Sequence, residues 1–167
     1  MQQSARLNPW AIAVVIWVGT IFFSSTSMAA EWCEQAFNYV VRLIFGNWPS
    51  DQPSYGLFHF IADKGFHVAL FLILAVLLWK AIPAGRWKIA TIVLFGAFIG
   101  SCSEFLQRFF PGRDPAVRDV LINVGGTVVG VVVSLLVTTH YPGDSSQSSP
   151  SSEDDEPVVA SGSSNRF

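Results

Sequence analysis

The sequence predicts an all-α, polytopic membrane bundle: four transmembrane helices with an interfacial amphipathic helix after the first. Two observations carry this. Of the 167 residues, 51% are hydrophobic and only 13% charged, which is too apolar for an ordinary soluble domain of this size. The apolar residues also gather into runs near the ~20 residues that a helix needs to cross a ~30 Å hydrocarbon core.

The first run carries no charge from Leu7 to Ala30 and is densest from Trp10 to Phe23, so a span over about residues 9–27 is expected, with Arg6 on its cytoplasmic flank. Its competitor is a cleaved signal peptide, with Ser27-Met28-Ala29 as the small-x-small cleavage signal. From Glu31 to Phe45, residues Trp32, Ala36, Phe37, Val40, Leu43 and Ile44 recur at helical spacing, with Glu34, Asn38 and Arg42 elsewhere around the wheel. That pattern predicts an amphipathic helix lying in the interface and ended by Gly46. Pro49 and Pro53 mark Asn47 to Ser54 as a loop.

The second span, about 63–82, centres on Gly65 to Trp79. It crosses only with Asp63, Lys64 and His67 near one end and a snorkelling Lys80 at the other. Pro83 and Gly85 break it. The third span, about 88–108, ends on Glu104, Gln107 and Arg108, and the turn Pro111-Gly112 with Pro115 leads into a fourth, about 119–140. Residues 1–141 thus form the membrane domain. Residues 142–167 are Ser, Gly, Pro and acid with little to bury, and read as a disordered tail.

The hairpin Lys80 to Lys88 holds three positive charges and no acid. The counting rule therefore puts it, the N-terminus and the tail in the cytoplasm of a cell that carries the protein in its inner membrane. Arg108, Arg113 and Arg118 count against this, but Glu104, Asp114 and Asp119 match them, so they read as a paired site. No composition feature points to nucleic acid. Cys33 and Cys102 form no CxxC pair and no disulfide framework. There is no HExxH, and His59 and His67 stand about 12 Å apart along a helix, too far to share one ion. No metal or cofactor is expected.

Parity brings the polar residues together. If the last three spans all cross, the start of the second, the end of the third and the start of the fourth share one face. His59, Asp63 and His67 step by four, as do Glu104 and Arg108, and Asp119 and Asn123, so each set lies on one side of its helix. An ionisable group at membrane depth costs about 2.5–3.5 kcal/mol on the gentler insertion scale. The bland reading makes Asp63 a helix cap, Lys64 and Arg118 interfacial anchors, and His67 a core histidine bonded to Asp63. The functional reading joins Asp63, Lys64, His67, Glu104, Gln107, Arg108, Arg113, Asp119 and Asn123 in one anion-binding site. There Arg108 and Arg113 grip phosphate or carboxylate, and His67 is the candidate for proton transfer. Gly96 with Gly100, and Gly126 with Gly130, form GxxxG pairs that let helices approach closely.

Two stretches carry a resemblance. Asp63-Lys64-Gly65-Phe66-His67-Val68-Ala69-Leu70-Phe71, and Glu104-Phe105-Leu106-Gln107 followed by Pro111-Gly112-Arg113, Asp119, Asn123 and Gly126, are similar to signatures of the VanZ-like family. Ser24-Ser25 also fits. The resemblance covers roughly residues 10 to 140. It implies a helical membrane domain of the cell envelope, in a family named for a glycopeptide (teicoplanin) resistance protein whose members also occur beside envelope polysaccharide machinery. Asp114-Pro115, Arg118 and the acidic tail depart from the family pattern. The partners expected are the bilayer, an anionic lipid or lipid-linked precursor, and other envelope proteins. The alternatives are an enzyme of phosphoryl or acyl chemistry, and a structural subunit whose polar residues only fasten helices together.

Overall fold

Local signals start and stop most of the helices. In the computed structural model, which describes residues 8–46, 50, 52–112 and 115–140, Asn8 caps α1 (Pro9–Ser24) by accepting from the Trp10 N–H at 3.0 Å. The Thr26 hydroxyl caps α2 (Ser27–Phe45) in the same way, accepting from the Ala29 N–H at 3.3 Å. Gly46 ends α2 at φ +69°, a left-handed position that suits glycine. Pro53 stands at the first position of α3 (Pro53–Ala81). α4 (Lys88–Gln107) and α5 (Val117–His140) follow. The described residues contain five helices and no strand.

Three helices, α3, α4 and α5, are long and apolar enough to cross a membrane. α1 and α2 pass that test only as a pair, bent by 82° at the break between them, and so supply a fourth candidate span. The first helix thus ends earlier than the expected 27, because the Ser-Ser-Thr run caps a new helix rather than extending the old one. The larger correction concerns α3, expected from about residue 63 and found to start at Pro53. Its 29 residues span about 43 Å at 1.5 Å per residue. Asp63, Lys64 and His67 therefore sit well inside the helix rather than at its end. Arg6, Asn47, Pro49, Arg113, Asp114 and the tail expected over 142–167 lie outside the described residues.

α3 and α5 run parallel and pack most extensively, with α4 antiparallel against α5 and α1 antiparallel against α3. α3 is the central element, packed against α1, α4 and α5. On α5, Asp119, Asn123, Gly126, Thr127, Gly130, Val131 and Ser134 form the buried side, spaced at threes and fours. Gly126 and Gly130 lie against the α3 backbone: a Cβ there would come within 2.7 Å of the Val68 carbonyl and 2.5 Å of the Leu72 carbonyl. Gly96 and Gly100 of α4 instead meet Thr127 and Asn123. Phe71 and Ala75, which also face these glycines, join Leu74 and Ile92 in an apolar core that is fully buried. α1 is tied in by the Trp17 indole N–H donating to the Leu70 carbonyl at 2.8 Å, and by Asn8 Nδ2 donating to the Ala81 carbonyl at 3.2 Å.

Candidate functional site

The polar residues of α3, α4 and α5 meet at the end of the bundle that also carries the α1–α2 bend. Parallel packing of α3 and α5 sets their register. Lys64 Nζ reaches Asp119 Oδ2 at 2.8 Å and Asp63 Oδ2 at 2.8 Å, bridging two carboxylates. One turn deeper, His67 Nδ1 lies 3.3 Å from Asn123 Oδ1. His67 therefore bonds across to α5, rather than only to the Asp63 one turn earlier on its own helix. Arg118 Nε approaches Asp119 Oδ1 at 3.6 Å from the exposed side.

α4 adds buried polar groups. Glu104 accepts from Gln107 Nε2 at 3.3 Å and from the Ala116 backbone N–H at 3.3 Å, so its carboxylate holds the approach to α5. Ser103 shares a 2.7 Å hydrogen bond with Ser25, both buried, fastening the α1–α2 bend to α4. Arg108 behaves differently: it is exposed, beyond the last residue of α4, with its guanidinium 6.0 Å from the Phe105 ring. The structure thus brings Asp63, Lys64, His67, Asp119 and Asn123 into one network, with Glu104 and Gln107 beside it. Arg108 points away, and Arg113 lies outside the described residues.

Burying such groups is costly unless each is paired. Asp119 and Asn123 are 6% and 0% exposed, yet Asp119 Oδ1 and Asn123 Nδ2 have no hydrogen-bond partner among the described residues. One acceptor and one donor therefore remain open inside an otherwise matched network. The same described residues hold no group of histidine, cysteine and acid arranged to bind a metal, and both cysteines are free.

A cavity of about 570 Å³ opens beside the network. α3 contributes His59, Asp63, Phe66 and His67 to its wall, and Ser24 and Gly112 also line it. Cys33, Glu34 and Phe37 of α2 complete it, and sequence reading missed these three. Phe37 rests edge-on against His59, ring centroids 4.9 Å apart. The signal for this wall was the Ser-Thr run before α2: a helix cap there turns the chain across the top of α3.

No curated protein and no solved structure gives a match to the chain. The sequence profile of the VanZ/LLP1 family, however, matches residues 10–138. That match takes in all five helices, the bend, the Lys64 bridge and the α5 network, and on it the chain belongs to the VanZ/LLP1 family.

Proposed function

We propose that this VanZ-like protein sits in the cell envelope as an integral membrane protein with four spans, α2 lying in the outer interface. Its polar cluster binds the anionic group of an envelope component: a lipid-linked phosphate, a phospholipid head group or a peptide carboxylate. One observation carries this reading: the Asp63–Lys64–Asp119 bridge and the His67–Asn123 pair abut a cavity of about 570 Å³, within the range of ligand pockets. A set of side chains that only fastened helices together would close on itself. Here Arg118 stays exposed beside Asp119, and among the described residues the buried donor Asn123 Nδ2 has no hydrogen-bond partner.

Arg113 belongs to the anion grip in this reading on its chemistry alone, because a guanidinium fork matches phosphate and carboxylate. If the ligand is a cell-wall precursor, altered glycopeptide susceptibility follows. The test is mass spectrometry of lipid co-purified with wild type, Arg113→Ala and Asp119→Ala. Charge-assisted bonds of this kind are worth about 1.5–3 kcal/mol, so each variant should lose at least about tenfold of the bound anion while still inserting in the membrane. Unchanged co-purification would reject the proposal.

A second reading, an enzyme of phosphoryl or acyl chemistry on a lipid, is favoured by one feature. His67 both lines the cavity and bonds into the buried network, which is where a general base needs to stand.

A further inference from the structure

The charges around the cavity are segregated. Its wall carries two carboxylates, Glu34 and Asp63, and two imidazoles, His59 and His67. Among the described residues no lysine or arginine lines it. The cations stand to one side: Lys64 is turned to Asp119, and Arg118 is exposed beside the same carboxylate. Phe37 and Phe66 supply aromatic wall. A purely anionic head group would meet carboxylates on entering this space, at a repulsive cost. Carboxylates with aromatic rings are the surroundings that recognise an ammonium group. Asp63 already holds one ammonium, that of Lys64, at 2.8 Å.

We propose that the cavity takes the ammonium end of a zwitterionic lipid head group whose phosphate lies at the Lys64–Arg118 side, making the ligand class an aminophospholipid. This deepens the anion-binding reading and rests on it. The phosphate meets Lys64 and Arg118 beside the cavity, and the amine, displaced by a short linker, meets Glu34 and Asp63. The lipid source follows from the surroundings. Phe66 on the cavity wall and Ile73 two turns deeper on α3 are exposed, an apolar surface suited to acyl chains and not to a free solute.

The test uses full-length protein in nanodiscs, or native mass spectrometry from detergent, with phosphatidylethanolamine and phosphatidylglycerol of the same chains. Wild type should bind the ethanolamine lipid about tenfold more tightly than the glycerol lipid. In Glu34→Gln, an exposed position on α2, that ratio should fall to within about twofold of unity, and Glu34→Asp should restore part of it. If both lipids bind and the ethanolamine lipid is no tighter, the ammonium proposal is overturned while anion binding stands. If neither lipid binds saturably, both fall. Competition by chain-free glycerophosphoethanolamine as strong as that of the intact lipid would overturn the lipid assignment.

Discussion

His67 shows how much a single residue can be asked to do. It is half-buried, it faces the cavity, and its Nδ1 meets Asn123 Oδ1. A glutamine there keeps an amide able to meet Asn123 but removes the group that exchanges a proton near neutral pH. Under the enzymatic reading, purified wild type should form product from a lipid-phosphate substrate, and His67→Gln should lower turnover by about 10²-fold or more with binding retained. No product from wild type would reject catalysis and leave binding alone. Which polar residues share a helix side was legible in the sequence, because spacings of four place Asp63 with His67, and Asp119 with Asn123. Who partners whom was not. The Lys64–Asp119 and His67–Asn123 pairs join residues 55 and 56 apart, and helical periodicity says nothing about the rotation of one helix against another. Arg108 shows the same limit: its backbone at the end of α4 is still helical, yet its side chain is exposed beside Phe105 while Glu104, four residues earlier, is buried.

At the scale of the element, α5 is held by the absence of side chains. The GxxxG pairs were legible as close-approach signals, but not which neighbour each would face: Gly126 and Gly130 meet α3, whereas Gly96 and Gly100 meet α5. Among the described residues, a Cβ on the adjacent Gly125 would have no neighbouring side chain or helix within 4 Å, while at Gly126 it would lie 2.7 Å from a backbone carbonyl. Backbone cannot rotate aside as a side chain can. Gly126→Ala should therefore destabilise the bundle by about 1–3 kcal/mol, whereas Gly125→Ala should be neutral or stabilise it by up to about 1 kcal/mol through helix propensity. Thermal unfolding of the two variants in one detergent checks this, and equal melting temperatures would remove the close approach from the account. α3 was the least legible element. Its charged residues resemble an end, and Pro49 and Pro53 resemble a loop, yet proline is also tolerated at a helix start.

The whole molecule has two unlike ends. At one, Lys80, Arg86 and Lys88 each lie over an indole, of Trp10, Trp87 and Trp79, at 4.4, 5.0 and 4.3 Å, the arrangement of cation and aromatic expected at a membrane–water boundary. At the other, Lys64, Asp63, Asp119, Arg118 and Glu104 mix both signs. Lys64 lies sixteen residues from Lys80 along α3, about 24 Å at 1.5 Å per residue. With Lys80 at one boundary of a ~30 Å core, the cluster falls just inside the opposite boundary, and the first turns of α3 rise past it beside α2. In the orientation proposed above, the unmatched positive end takes the cytoplasmic side under the counting rule and the cluster faces outward. Cys33, exposed on α2 at the cluster end, is a native reporter of that face. In a Cys102→Ser background, an impermeant maleimide should label Cys33 in intact cells. With Cys33 also replaced by Ser, a cysteine placed at Gly85 should label only after permeabilisation. The reverse pattern would invert the orientation and put the cavity in the cytoplasm. Labelling of both positions from one side would break the alternation of helix directions that brings residues 64, 104 and 119 together, and with it the site.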